Sequence, residues 1–274
     1  MGLLFGTAGI PRSPRPATTQ AGIERVRELG LDCLEVQFVQ GVKMGEAAAR
    51  VVHLAAQKNG IRLSAHAPYF INFNAHEADK LSASQTRLLQ SARIGALCGA
   101  ESVVFHAGFY LKDPPELTYV RIKGVLEKTV ARLHGEGNYM VLRPELTGKF
   151  TQFGTVGELL SLSAEVKGVA PALDFSHFHA RCGECNSYAE FVELLRQVEA
   201  RLGPLALKQI HIHLSGIHYT RAGEIKHLNL KESDMRYEEL LRALKDLGVE
   251  GMLICESPNL EEDALLLKET YASL

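Results

Sequence analysis

No apolar run in the sequence reaches the length of about 18 residues that a membrane-spanning helix needs. The opening segment Met1-Gly2-Leu3-Leu4-Phe5-Gly6 has none of the basic residues that start a secretory leader. The expected compartment is therefore the cytoplasm, with no membrane partner. Cysteine is scarce. There are five, an odd number, and Cys33, Cys98 and Cys255 sit inside apolar stretches, so they are read as buried thiols rather than as a disulfide framework. Cys182 and Cys185 form a C-x-x-C without the second pair of a zinc knuckle and without the strand-then-helix context of a redox pair, which leaves them as loop thiols. An excess of one charge is also missing: the formal net charge is −2, so binding to nucleic acid would have to come from a local basic face. No Pro/Gly/Ser-rich linker divides the chain, and no Gly-x-Gly-x-x-Gly follows the first apolar run, which argues against a dinucleotide-binding sheet.

What is present is material for one large core, since 46% of residues are hydrophobic and 23% charged, a balance that excludes disorder. Short apolar runs alternate with longer amphipathic segments. The runs predict strands over Leu3–Thr7, Cys33–Gln37, Arg62–Ala65, Ser102–His106, Met140–Glu145, Val169–Asp174, Gln209–His213 and Met252–Glu256. Helices are predicted near Thr19–Leu29, Gly45–Asn59, Lys80–Cys98, Pro115–His134, Thr155–Glu165, Ser187–Leu202, Tyr237–Leu247 and Leu260–Tyr271. Gly30, Gly60, Gly99 and Gly248 follow four of these and supply the left-handed position that ends a helix. Eightfold alternation requires parallel strands joined by right-handed crossovers, and the 274 residues match the roughly 250 of a (β/α)8 barrel. The expected fold is one (β/α)8 TIM barrel domain over residues 1–274, as a monomer.

The ends of the runs carry the chemistry. His66, His106, Glu145, Asp174, His213 and Glu256 each stand where an apolar run finishes. One buried His or Glu in such a place is ordinarily a satisfied structural residue. Six would crowd ionisable groups into one barrel mouth, where uncompensated charge costs several kcal/mol, and divalent cations offset that cost. Imidazole with carboxylate suits zinc, manganese or iron, with zinc first, and six ligands exceed one tetrahedral site. Two or three neighbouring ions can generate a nucleophile from water and stabilise both oxygens of a phosphoryl displacement, so phosphate-ester hydrolysis is the expected reaction.

The flanking residues add a resemblance. His66-Ala67-Pro68-Tyr69-Phe70-Ile71-Asn72 is similar to the His-x-x-Tyr-x-Ile-Asn element of the endonuclease IV family of apurinic/apyrimidinic endonucleases. The stretch from Gly168 to His177, ending Leu173-Asp174-Phe175-Ser176-His177, resembles that family's strand ending in Asp-x-x-His. Phe105-His106-Ala107-Gly108, Pro144-Glu145 and Cys255-Glu256 follow in the family's order. The resemblance, to a divergent member, implies a barrel with three zinc ions that cleaves damaged double-stranded DNA 5′ to abasic sites. His66 and His106 would hold one ion with Glu145, the catalytic carboxylate bridging to a second ion held also by Asp174, His213 and Glu256. His177 would belong to the third ion, and Tyr69 would lie near the DNA.

The sequence departs from that pattern twice. Where the family continues its seventh-strand His with an Asn-Asp-x-Lys type sequence, this chain reads His213-Leu214-Ser215-Gly216-Ile217-His218. The Asp-x-His pair that completes the third ion is replaced by Glu224 and His227, three positions apart, with His227 expected in a long loop. Two rival readings follow. One is a sugar isomerase or epimerase of the xylose-isomerase-like barrels, acting on a small sugar with one ion held by Glu145, Asp174, His213 and Glu256. The other is a barrel that binds DNA without cleaving it. His211, two positions before His213, is expected one layer below it. His179 and His218 are expected in loops on the catalytic side. Arg12, Arg15 and Lys43, after the first two strands, are read as solvated charge within reach of phosphates.

Overall fold

The computed structural model describes residues 2–183 and 185–274. In chain order the elements are β1 (Leu3–Ala8), α1 (Thr19–Glu28), β2 (Cys33–Gln37), α2 (Glu46–Asn59), β3 (Arg62–His66), α3 (Ala78–Cys98), β4 (Ala100–Phe105), α4 (Pro115–Gly135), β5 (Val141–Pro144), α5 (Val156–Glu165), β6 (Leu173–Asp174), α6 (Phe175–Cys182), α7 (Tyr188–Leu202), β7 (Ile210–Leu214), β8 (Gly216–Thr220), β9 (Gly223–Leu228), α8 (Tyr237–Asp246), β10 (Gly251–Cys255) and α9 (Glu261–Ser273). Among the described residues, no helix is long and apolar enough to cross a membrane. The glycine stop signals behave as expected: Gly30, Gly60, Gly99 and Gly248 have φ of 73°, 64°, 80° and 58°.

The chain forms two compact units: Met1–Leu34, Gly148–Phe150 and Ala172–Leu274 in the first, Glu35–Thr147 and Thr151–Pro171 in the second. In the first unit the strand order is β1-β10-β7-β6, each neighbouring pair parallel. Register places Thr7 opposite Cys255, Ile254 opposite His213, and His213 opposite Asp174. Apolar side chains Cys33, Met252 and Ile254 pack together with Leu4 and Ala8. That packing brings backbones close: a Cβ on Gly6 would lie 1.9 Å from the Cys33 carbonyl oxygen, so only glycine fits there. Asp32 accepts from the Phe5 backbone N–H at 3.1 Å and pairs with Lys268 of α9 at 2.7 Å, fastening that helix to the start of the sheet.

In the second unit the order is β5-β4-β3-β2, with β3–β4 and β4–β5 parallel. His66 lies opposite Val104, and Phe105 opposite Pro144. The pairing runs one step beyond the strands, because the Glu145 N–H donates to the Phe105 carbonyl at 3.0 Å. The residues after β4 and β5, His106 and Glu145, are thereby lateral neighbours.

Two expectations need correction and one helix is added. The sixth strand is only Leu173–Asp174 rather than Val169–Asp174; Val169 makes an isolated bridge to Leu142, and Pro171, lacking an N–H, cannot continue a ladder. Directly after that strand comes the eight-residue helix α6, which the sequence reading did not include and whose His177 N–H is capped by the Asp174 side chain. The long loop expected to carry His227 is the antiparallel hairpin of β8 and β9, with His227 opposite Ile217.

Candidate metal centre

In the second unit, His66 at the end of β3, His106 after β4 and Glu145 after β5 come together. Glu145 is buried, and its Oε2 lies 3.2 Å from His66 Nε2 and 2.8 Å from His106 Nε2. His66 Nδ1 is 2.8 Å from the Ala67 carbonyl, to which it can only donate. A neutral His66 therefore turns the lone pair of Nε2 toward an anionic oxygen. Two acceptors at hydrogen-bond distance repel unless a cation, either a proton or a metal ion, lies among them. The carbonyl contact is also the kind that fixes the ring of a metal-ligating histidine.

The first unit holds a second cluster built on α6 and the hairpin. Asp174 Oδ1 accepts from the His177 backbone N–H at 2.7 Å as the helix cap, while Oδ2 lies 3.2 Å from His177 Nδ1. The far side of the ring, Nε2, is 3.3 Å from His227 Nε2 and 3.5 Å from Glu224 Oε2. His227 Nδ1 faces the Glu256 carbonyl oxygen at 3.3 Å, so its neutral form turns the Nε2 lone pair toward His177. Burial pulls the His227 imidazole toward the neutral form, but Glu256, Asp174 and Glu224 together hold its pKa above the ordinary histidine value. This is the signature of a site with surplus anionic charge. His213 of β7 directs Nδ1 at Glu256 Oε1, 3.5 Å away.

Each expected ligand thus has at least one other at close range within its unit. Atoms of His66, His106 and Glu145, and likewise of Asp174, His177 and His227, lie within 4.8 Å of one another, so each trio could hold one ion. Mixed imidazole and carboxylate donors fit zinc or manganese better than magnesium or calcium. Glu224 stands beside His177, where the second trio has room for a further carboxylate.

Tyr69 is more than half exposed, and its ring lies 5.9 Å from that of His66 and 6.2 Å from that of His106. A cavity of about 760 Å³ opens beside it, lined among others by Phe70, Asn72, Arg87, Phe109 and Leu111. His211 is buried beside His213, with the two Nε2 atoms 3.3 Å apart, while the other ring nitrogen of His213, Nδ1, faces Glu256. The loop expectation for His179 is wrong: it is a buried helical residue on α6. His218 is in β8 and exposed. Arg15 spends its guanidinium on the Arg12 and Pro14 carbonyls of its own loop, which fits the reading of ordinary surface charge. Burial pushes the Cys98 and Cys255 thiols up to about 12, as expected for inert core cysteines. Sequence reasoning missed Asp234, whose carboxylate meets both His179 and Tyr219 and which no run or motif marks out.

Residues 23–273 match the family described as the xylose isomerase-like TIM barrel. Over 273 residues, 99% of this chain and 98% of the other, the sequence is 44% identical to a protein of Methanocaldococcus jannaschii named uncharacterized protein MJ0133. Endonuclease IV from Thermus thermophilus has a similar structure, with a TM-score of 0.73 at 21% identity covering 98% of each chain. A D-tagatose 3-epimerase-like protein gives a TM-score of 0.75 at 18% identity, covering 100% of this chain and 96% of the other. At such identities the two structures speak to fold and not to activity. The (β/α)8 barrel expected from the alternation of strands and helices is the fold of this chain.

Proposed function

Because the chain belongs to the xylose isomerase-like TIM barrel family, we propose that it is a metal-dependent phosphodiesterase of the endonuclease IV kind, incising double-stranded DNA 5′ to abasic sites. The observation that carries this reading is the second imidazole pair. His177 and His227 face each other across 3.3 Å with Glu224 alongside, in addition to the trio of His66, His106 and Glu145. A sugar isomerase or epimerase working through one ion has no use for these extra imidazoles, whereas phosphodiester hydrolysis uses several cations against several oxygens.

In this reading the ligands are His66, His106 and Glu145 in one unit and Asp174, His177, His213, His227, Glu224 and Glu256 in the other, for two or three ions. Zinc is the first candidate and manganese the second. When bound, such ions supply Lewis acidity toward phosphoryl oxygens and a water of lowered pKa. The protein's own part is to orient and to exclude. The Ala67 and Glu256 carbonyls fix the rings of His66 and His227, and Glu145, with two imidazoles on one oxygen, supplies the negative charge that makes its trio attractive to a cation. Exposed Tyr69 offers an aromatic face to the DNA beside that trio. The barrel is proposed to act as one domain and as a monomer.

The test joins elemental analysis of protein purified without chelator to an incision assay on duplex DNA containing one abasic site. Two or more ions per chain with incision supports the reading. One ion per chain, no incision and turnover of a ketose would replace it with the epimerase, and full metal loading without either reaction with a binding protein.

A further inference from the structure

Away from the metal ligands, the first unit contains a polar network whose members are scattered in sequence. His179 Nε2 on α6 is 3.2 Å from Asp234 Oδ2, and the Tyr219 hydroxyl of β8 donates to the same oxygen at 2.9 Å. The His179 and Tyr219 rings meet edge to face with centroids 4.7 Å apart. Asn186, ahead of α7, donates to the Asp234 carbonyl at 2.7 Å and accepts from the Arg236 N–H at 2.9 Å. Burial and the neighbouring carboxylate push the Tyr219 phenol up to about 12, which keeps it a donor throughout the neutral range. One aspartate thus ties together a helix, a hairpin strand and a loop.

The position of these ties matters for what the hairpin carries. His177 and His179 are two residues apart on α6, a rotation of about 200° on a helix, so they point to opposite sides. His177 meets His227 and Glu224 of β9, while His179 meets Asp234 and the ring of Tyr219. Tyr219 is the direct cross-strand partner of Glu224. With neither a metal ion nor a proton between them, the first meeting brings acceptors together and does little to hold the hairpin against α6. The second holds it there.

We propose that Asp234 is a positioning residue that clamps the β8–β9 hairpin to α6, so that Glu224 and His227 stand in place for an ion before one arrives. This rests on the reading of His177, Glu224 and His227 as ligands. The hairpin is also fastened where Ser176 of α6 exchanges hydrogen bonds with the Ser215 backbone just ahead of β8, at 2.7 and 2.9 Å, and where the Glu224 N–H donates to the Gly148 carbonyl at 3.0 Å; Asp234 adds a tie at the Tyr219 end. Asp234 itself is more than half exposed at its side chain, so its replacement removes the tie without emptying a core.

The experiment measures zinc affinity by competition with a chromogenic chelator, together with amide hydrogen exchange of the hairpin in chelator-stripped protein. Asp234→Ala should weaken the most loosely held ion by about 10- to 100-fold, the usual effect of removing a group that orients a ligand, and should speed exchange across β8 and β9. Tyr219→Phe should give a smaller change of the same kind, and Asp234→Asn, which keeps an acceptor oxygen, should restore most of the affinity. Lys268→Ala, which cuts a tie to Asp32 elsewhere in the unit, should lower thermal stability while leaving zinc affinity unchanged. If Asp234→Ala lowers the melting temperature but keeps wild-type zinc affinity and hairpin protection, the clamp is overturned. His227→Ala separates the two readings. Loss of an ion there with no effect at Asp234 rejects the clamp alone, whereas unchanged zinc binding in His227→Ala rejects the ligand reading and the clamp with it.

Discussion

Glu145→Gln is the perturbation whose consequences can be worked furthest. The wild-type carboxylate is buried with one oxygen 3.2 Å from His66 Nε2 and 2.8 Å from His106 Nε2. Glutamine keeps the shape, presents one neutral oxygen, and adds an N–H₂ that can donate to an imidazole lone pair. In the absence of metal the variant should be at least as stable as the wild type, because a buried negative charge has been removed. In its presence the order reverses. Losing one member of a buried charge-assisted contact costs about 2.7 kcal/mol, at the low end for such truncations, which is about 100-fold in Kd. At a free zinc concentration of 100 times the wild-type Kd, the ion stabilises the wild type by about 2.7 kcal/mol and the variant by about 0.4 kcal/mol. Over 274 residues, an unfolding entropy of about 2.1 cal/mol/K per residue turns that difference into a melting shift smaller by about 4 °C. Calorimetry with and without zinc reads the shift, and abasic-site incision should fall to background. A variant that retains both the zinc-induced shift and turnover, or one that unfolds when chelator is added, would show that Glu145 holds the fold rather than an ion.

Other outcomes follow from the same geometry. His227→Ala should cut incision by at least about 100-fold, as for removal of one electrostatic stabiliser, with the loss of one ion per chain by elemental analysis; an unchanged rate and metal content would remove His227 from the ligand set. Gly6→Ala should cost about 3 kcal/mol or more by urea denaturation, because its Cβ would lie 1.9 Å from one Cys33 backbone atom and 2.5 Å from another, neither of which can rotate away. Gly124→Ala, in open space on α4, should be neutral or stabilising by up to about 1 kcal/mol. In chelator-stripped protein, His227 has a pKa raised above its unfolded value. Its stabilisation is complete below about pH 6.5 and is lost as pH rises through the folded value. Denaturation at pH 6, 7 and 8 should therefore show a decline that His227→Ala flattens, and an equal slope in both proteins would reject this account.

Most of the fold was legible because its signals are local. The cores of the predicted strands match the observed ones to within a residue or two at most ends, since buried parallel strands are short continuous apolar runs. The hairpin was not legible. Its strands, Gly-Ile-His-Tyr-Thr and Gly-Glu-Ile-Lys-His-Leu, alternate without a consistently apolar face, and most of their residues are exposed or half-buried, so they read as a polar loop. Helix α6 was hidden for a different reason. Eight residues are too few for a hydrophobic period to register, and its start signal, Asp174, had already been taken as a metal ligand.

The two uses of Asp174 explain why the candidate site was easier to read than the structure around it. Residues that end apolar runs are visible in any sequence, and parallel register then brings such ends side by side, as with His213 opposite Asp174 or Glu145 one step beyond Phe105–Pro144. What aims the candidate ligands is not visible in this way, because it depends on contacts between positions far apart. His179 and Asp234 are separated by 55 positions, and His227 and Glu256 by 29. Asp174 joins the two kinds of information. One of its oxygens starts α6 by capping the His177 N–H, and the other faces His177 Nδ1 from 3.2 Å, so the formation of the helix's first turn and the aiming of the His177 ring are a single local event. The candidate ligands Glu224 and His227, which face His177, lie on the hairpin, far from it in sequence, and gain no such local help. Their positions rest on long-range ties: the Glu224 N–H on the Gly148 carbonyl, His227 Nδ1 against the Glu256 carbonyl, and the Tyr219 hydroxyl on Asp234 at the other end of the same strand pair.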